Sequence, residues 1–238
     1  QDRPSAAAAE DCDRMTPHNL RHKDGFFISF EGGEGSGKTS QINTLAQALT
    51  DLGYKVITTR EPGGTPEGES IRNLLVQREG GHWTPMAECL MLFAARAMHV
   101  EQVIKPALAG GKIVITDRFT DSTRAYQGYG HGLAASAIET INNLVLGDFQ
   151  PHLTFILDID PEQGLERSGR RLAAESLQIA QTEDRFESMD LGFHQRIRQG
   201  FLDIAAKHKT RCVVLDATKD YAGLAAQILA AAEGKLQG

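Results

Sequence analysis

Eight residues constrain this chain more than any others: Gly32-Gly33-Glu34-Gly35-Ser36-Gly37-Lys38-Thr39. They follow an apolar, β-favouring run over residues 26–31 and open a segment in which Ile42, Leu45, Leu49 and Leu52 recur at helical spacing before Gly53. The pattern G-x-x-x-x-G-K-[ST] between a strand and a helix describes a phosphate-binding loop. Its glycines let the backbone turn N–H groups onto a phosphate, and the start of the helix adds a favourable dipole for negative charge. Lys38 is expected to reach the β- and γ-phosphates of a nucleotide, and the Thr39 hydroxyl to ligate Mg²⁺.

Beyond this loop, strand-like and helical segments alternate. Residues 26–31, 55–60, 112–117, 152–160 and 211–216 each read as a buried strand. Helical patterns cover the stretch after Gly37 and residues 66–77, 85–108, 134–146, 161–172, 187–207 and 221–232. This order predicts an α/β fold: a five-stranded parallel sheet with helices on both faces and ligands beyond the carboxyl ends of its strands. No repeat or linker divides residues 25–238, which are expected to form one domain. Residues 1–24 hold the run Ala6 to Ala9, scattered charges and no apolar period, and are expected to be a disordered tail, with Met15 as a candidate translation start. Residues 173–184, without a period and between two helices, suit a mobile flap.

Composition narrows the partners. A formal net charge of -6 argues against coating nucleic acid, which needs many phosphate-neutralising Lys and Arg. No apolar stretch approaches the roughly 18–20 residues of a membrane span. The cysteines, Cys12, Cys89 and Cys212, have neither disulfide-framework nor metal-ligand spacing, so a reducing cytoplasm is expected.

A phosphate loop alone serves kinases, switches and motors alike. GTP switches normally read guanine with an Asn/Thr-Lys-x-Asp loop; Thr218-Lys219 is followed by Asp220-Tyr221 and misses that spacing, which favours ATP. The third strand runs into Asp117-Arg118-Phe119, placing a carboxylate and a guanidinium beside the loop. Arg118 suits an acceptor phosphate; Asp117 suits Mg²⁺ water or Arg118 itself, and a structural ion pair is the alternative.

In addition to the phosphate loop, the chain carries Thr59-Arg60-Glu61-Pro62-Gly63-Gly64-Thr65, then Asp117-Arg118-Phe119-Thr120-Asp121-Ser122, then Ala125-Tyr126-Gln127-Gly128. In these blocks and their order it resembles the bacterial thymidylate kinases, over about residues 27–232. The resemblance implies the P-loop nucleoside monophosphate kinase fold with a mobile lid, at about residues 161–186, and a homodimer. It implies transfer of the γ-phosphoryl group of ATP to dTMP with Mg²⁺ held at Thr39 and Asp117. Catalysis would then fall to Lys38, Asp117, Arg118 and a lid arginine. The dTMP site would comprise Glu34 near the sugar, Arg72 and Arg118 on the phosphate, Ser122, and Arg96, Thr123 and Gln127 on the base edge, with Tyr126 beneath the sugar. A kinase for another nucleoside monophosphate or deoxynucleoside, or a non-catalytic nucleotide switch, are the competing readings.

Two departures matter. The family usually stacks a Phe on thymine four residues before the arginine matching Arg96; here that position is Leu92, and Phe93 follows. Either Phe93 takes the stacking role, the reading preferred here, or Leu92 packs under the base and Phe93 joins the core. No basic residue lies between Gly32 and Gly37, which matches the branch of the family whose lid supplies the catalytic charge. Arg167, Arg170 and Arg171 suit that role, Arg171 above all and Arg185 next, unless they form a solvated helix face.

Overall fold

The structure is a computed structural model that describes residues 25–76, 81–175 and 185–237, the side chains of 171–175 excepted. The expected 1–24 tail, the greater part of the 173–184 flap and the Arg171 side chain therefore lie outside the described residues. The elements run β1 (Phe26–Glu31), α1 (Lys38–Asp51), β2 (Val56–Arg60), α2 (Pro66–Val76), α3 (Pro85–His99), α4 (Lys105–Ala109) and β3 (Ile113–Asp117). They continue with α5 (Thr120–Thr123), α6 (Ala135–Leu146), β4 (Leu153–Asp158), α7 (Pro161–Glu175), α8 (Leu191–Lys207), β5 (Cys212–Asp216) and α9 (Tyr221–Leu236).

The strands form one parallel sheet in the order β2-β3-β1-β4-β5. Strand alternation sorts β1 between two layers: Phe26, Ile28 and Phe30 pack with Ile42, Leu45 and Leu49 of α1 and with Leu224 and Ile228 of α9, whereas Phe27 meets Val100, Ile104 and Phe119 on the opposite face. On that second face Ile156 of β4 packs with Phe193, Ile197 and Phe201 of α8. Helices thus cover both faces, as parallel strands require.

The differences from the sequence reading have local causes. β2 and β5 are edge strands and only partly buried, because each has a single neighbour in the sheet. The helix read over 85–108 widens into a π-helical turn at Val100–Ile104, just ahead of Pro106, which brings no N–H to the ladder. The helix read from 187 starts at Leu191, where the Asp190 carboxylate accepts the Phe193 N–H at 2.8 Å and caps the turn. The residues after β3 coil into α5 and a π-helical stretch, Arg124–Gly130; with Gly128 and Gly130 and no apolar period, this piece left no helical signature in the sequence. Among the described residues no helix is long and apolar enough to cross a membrane.

Candidate active site

The loops leaving β1, β2 and β3 open onto one cleft of about 1250 Å³ at the carboxyl end of the sheet. At one end lies the phosphate loop. Gly32, Gly35 and Gly37 have φ of 141°, 66° and 85°, values that side chains rarely adopt. A Cβ on Gly35 would lie 2.0 Å from the carbonyl oxygen of Gly164 in α7, so loop and helix touch backbone to backbone. Lys38 is not the solvent-facing lysine that a loop residue suggests: it is buried, donating to the Gly32 and Gly33 carbonyls at 3.2 and 3.1 Å and to the Ser36 hydroxyl at 3.3 Å. Burial lowers its pKa, with Arg118 adding to the shift and Asp117, Glu34 and Glu31 opposing it.

Thr39 donates to Asp117 Oδ2 at 3.2 Å, while Asp117 Oδ1 is buried without a hydrogen-bond partner among the described residues. A hydroxyl and a carboxylate with a spare oxygen suit a hard divalent cation such as Mg²⁺. Among the described residues no cluster of three or more His, Cys, Asp or Glu side chains could hold a metal without further ligands.

Arg118 stands between the loop and the rest of the cleft. Its φ of 68° is left-handed, and its guanidinium donates to the Gly32 carbonyl and Ser122 Oγ, each at 3.1 Å, to Glu34 Oε1 at 2.9 Å and to the Tyr126 hydroxyl at 3.0 Å. Tyr126 in turn donates to the same Glu34 oxygen at 2.5 Å. Burial opposes charge on Glu34, but Arg118, Lys38 and the Tyr126 hydrogen bond outweigh it and hold the carboxyl at about 2. Beneath this group, the wholly buried Glu31 accepts the Phe119 N–H at 2.8 Å and the Ser122 hydroxyl at 2.5 Å. Burial chiefly, reinforced by Asp121, lifts its carboxyl to about 8 against the opposing pull of those bonds and of Arg118.

The far end is organised by Glu61. This buried carboxylate accepts Arg96 Nε at 2.6 Å and pairs with His99 Nδ1 at 2.9 Å, while His99 Nε2 meets Thr59 Oγ1 at 2.7 Å. Arg96 also donates to the Phe119 carbonyl at 3.3 Å and to Thr123 Oγ1 at 3.1 Å, but its Nη1 has no partner among the described residues. Gln127 donates through Nε2 to Glu88 at 3.1 Å, and its Oε1 is likewise unpartnered. Arg72 borders the cleft from α2 and donates to the Pro62 carbonyl at 3.1 Å.

Phe93 does not border the cleft. It is 1% exposed, packs with Cys89 and Ile138, and lies under the Arg96 guanidinium at 4.7 Å from ring centroid to carbon. Leu92 borders the cleft instead, since a one-residue step turns a helix by about 100° and only one of the two can face it. The arginines expected in the lid also separate. Arg167 borders the cleft and donates to the Ala217 carbonyl at 3.0 Å. Arg170 is exposed and paired with Glu166 one turn away, the solvated arrangement. Arg185 is turned away from the phosphate loop, onto Glu88 and the Leu75 carbonyl.

Sequence reasoning missed the buried acids Glu31 and Glu88 and the buried His99 as parts of this site. Glu31 ends β1 directly before the loop glycines, and that position is the signal by which it would have been found; Glu88 and His99 sit in a helix whose pattern gives no hint of a polar lining.

The thymidylate kinase family model matches residues 30–228. A thymidylate kinase of Caulobacter vibrioides is 50% identical over 204 residues, 86% of this chain and 94% of that protein. Another, from Cereibacter sphaeroides, is 50% identical over 194 residues, 82% of this chain and 88% of that one. The crystal structure of thymidylate kinase from Ehrlichia chaffeensis is 37% identical and superposes with a TM-score of 0.69, covering 88% of this chain and 99% of that one. By its family match and by its similarity to these relatives, the chain belongs to the thymidylate kinase family.

Proposed function

We propose that this chain transfers the γ-phosphoryl group of ATP to dTMP, giving dTDP. The observation that carries the acceptor is the pair of unpartnered atoms at the far end of the cleft, Arg96 Nη1 and Gln127 Oε1. A donor and an acceptor from two residues that line one cleft complement the O4 acceptor and N3–H donor of thymine, and buried polar groups left open are costly unless a ligand fills them.

The residues then divide the work. The backbone of residues 32–39 and Lys38 hold the ATP phosphates; Lys38 exchanges its contacts with neutral carbonyls for anionic oxygens and is needed most where charge shifts during transfer. Thr39 and Asp117 hold Mg²⁺, which supplies charge neutralisation on the phosphates. Arg118 and Arg72 orient the acceptor phosphate, Ser122 and Glu34 fix Arg118, and Leu92 packs against the base. Tyr126, braced by Glu34, walls the sugar and disfavours a 2′-hydroxyl. Arg167 is the cation we assign to the transferring group; Arg171 is the second candidate.

We read the working form as a cytoplasmic homodimer of a single P-loop domain. The exposed side chains of Leu74, Leu90 and Leu144, on α3 and on the two helices it packs against, α2 and α6, support an apolar contact surface, and the free thiols of Cys89 and Cys212 suit a reducing compartment. Turnover with ATP and Mg²⁺ across the nucleoside monophosphates tests the acceptor. Brisk turnover of another monophosphate with no dTDP from dTMP would leave the kinase class standing and remove the thymidylate reading.

A further inference from the structure

Behind Gln127 lies a cluster that the phosphoryl-transfer chemistry does not use. Glu88, in the first turn of α3, is 1% exposed and faces three side chains from two other parts of the chain. Its Oε2 accepts Gln127 Nε2 at 3.1 Å, its Oε1 accepts Arg185, and His131 Nε2 stands 3.8 Å away. Arg185 also donates to the Leu75 carbonyl at 2.9 Å, and its own N–H reaches the Val76 carbonyl at 3.3 Å, so the guanidinium is fixed at the end of α2. Both Glu88 oxygens are thus engaged as acceptors, one by the Arg185 guanidinium and one by the Gln127 amide.

This decides which way the Gln127 amide faces. The two ends of a glutamine amide have nearly the same shape but opposite hydrogen-bonding sense, so the neighbour determines which end is presented. An acceptor-only neighbour takes the nitrogen and leaves the oxygen for the cleft, where Oε1 has no partner among the described residues. Oxygen there welcomes a base with N3–H, the imide of thymine or uracil, and repels cytosine, whose N3 is itself an acceptor.

We propose that Glu88 is a positioning residue for base selection: paired with Arg185, it fixes the Gln127 amide with its oxygen toward the base and so excludes cytosine without touching any nucleotide. This inference rests on the dTMP reading of the cleft. His131 does not disturb the arrangement, because burial above all keeps its imidazole pKa low and hence the ring neutral.

The test is kcat/KM for dTMP, dUMP and dCMP in Glu88→Gln. A glutamine at 88 can offer its own nitrogen, releasing Gln127 to turn its nitrogen to the base. The dTMP-to-dCMP preference should fall at least about tenfold, while the dTMP-to-dUMP preference, which shares the imide, stays within about threefold. Adding Glu88→Gln to Gln127→Ala should cost no further discrimination, since one acts through the other. If the single variant fails to fold with Arg185 unpaired, Glu88→Gln/Arg185→Met removes that stranded charge and is read in the same way. An unchanged dTMP-to-dCMP preference, or equal losses on all three nucleotides, overturns the proposal and leaves Glu88 a structural acid. Wild-type protein that fails on dTMP would instead overturn the functional reading beneath it.

Discussion

Replacing Glu61 by Gln would separate what holds the cleft together from what reads the base. The carboxylate offers one oxygen to Arg96 Nε, at 2.6 Å, and the other to His99 Nδ1, at 2.9 Å, and all three side chains are almost wholly buried. An amide has only one oxygen. Turned to Arg96, that oxygen leaves an NH₂ facing His99, whose ring can answer by carrying its proton on Nε2 and donating to Thr59 Oγ1, 2.7 Å away. Geometry then survives, but the guanidinium loses its buried counter-charge. Removing one partner of a buried ion pair costs about 3–5 kcal/mol; with a neutral acceptor kept in place, the loss should be nearer 2–3 kcal/mol, the scale of a hydrogen bond to a charged group. For a chain of this size that lowers Tm by roughly 4–12 °C. Glu61→Gln/Arg96→Met removes the stranded charge and should recover most of the lost stability while leaving dTMP kcat/KM impaired, because Arg96 Nη1 goes with it. Urea titrations at neutral pH, run beside dTMP kinetics, read both quantities. A Glu61→Gln variant within about 0.5 kcal/mol of wild type, or a double variant no more stable than the single, would refute the reasoning.

Lys38→Met should lower kcat by roughly 10²-fold or more, because a preorganised cation at the transferring phosphates is lost; near-normal turnover in a folded variant would remove Lys38 from the phosphate site. Glu34, held at about 2 against an ordinary 4.5, binds fewer protons folded than unfolded near pH 3–4. Its stabilisation is therefore present above pH 4.5 and lost as pH falls toward 2. Its full size is about 3 kcal/mol, so urea midpoints measured from pH 6 to pH 3 should fall more steeply in wild type than in Glu34→Gln. Arg167→Ala should reduce kcat at least tenfold or so with little change in the KM for dTMP, whereas Arg170→Ala, which breaks only a surface pair, should match wild type in both. Equal effects in the two variants would remove Arg167 from the transferring group.

The sequence disclosed the sheet and the phosphate loop because both rest on local rules. Alternation of buried runs with helical periods determines a parallel sheet, and the glycine spacing before Lys38 determines the loop. The family resemblance pointed to Arg96 and Gln127, which both line the cleft, and stopped at the next layer. Whether Leu92 or Phe93 faces the cleft turns on the rotation of one helix, which depends on Cys89 and Ile138 filling the space beneath Phe93. The roles of Glu61 and Glu88 arise from hydrogen-bond partners far apart in the chain, Arg96 and His99 in one case and Arg185 in the other, and no window of sequence holds them together. Arg170 and Arg185 illustrate the converse: two arginines read from the sequence as candidates for one role part company once one of them finds Glu166 and the other finds Glu88.

The bare contact between Gly35 and Gly164 works as a pivot without padding. A Cβ on Gly35 would meet the Gly164 carbonyl oxygen at 2.0 Å, and one on Gly164 would meet the Glu34 carbonyl oxygen at 2.4 Å, so neither partner has room to yield. Three residues further along α7, Arg167 borders the same cleft as the loop. A tilt of α7 at this point must therefore displace the phosphate loop and swing Arg167 together, so that the position of the cation and the shape of the cradle cannot be tuned independently. The linkage between them is steric and needs neither a hydrogen bond nor a charge.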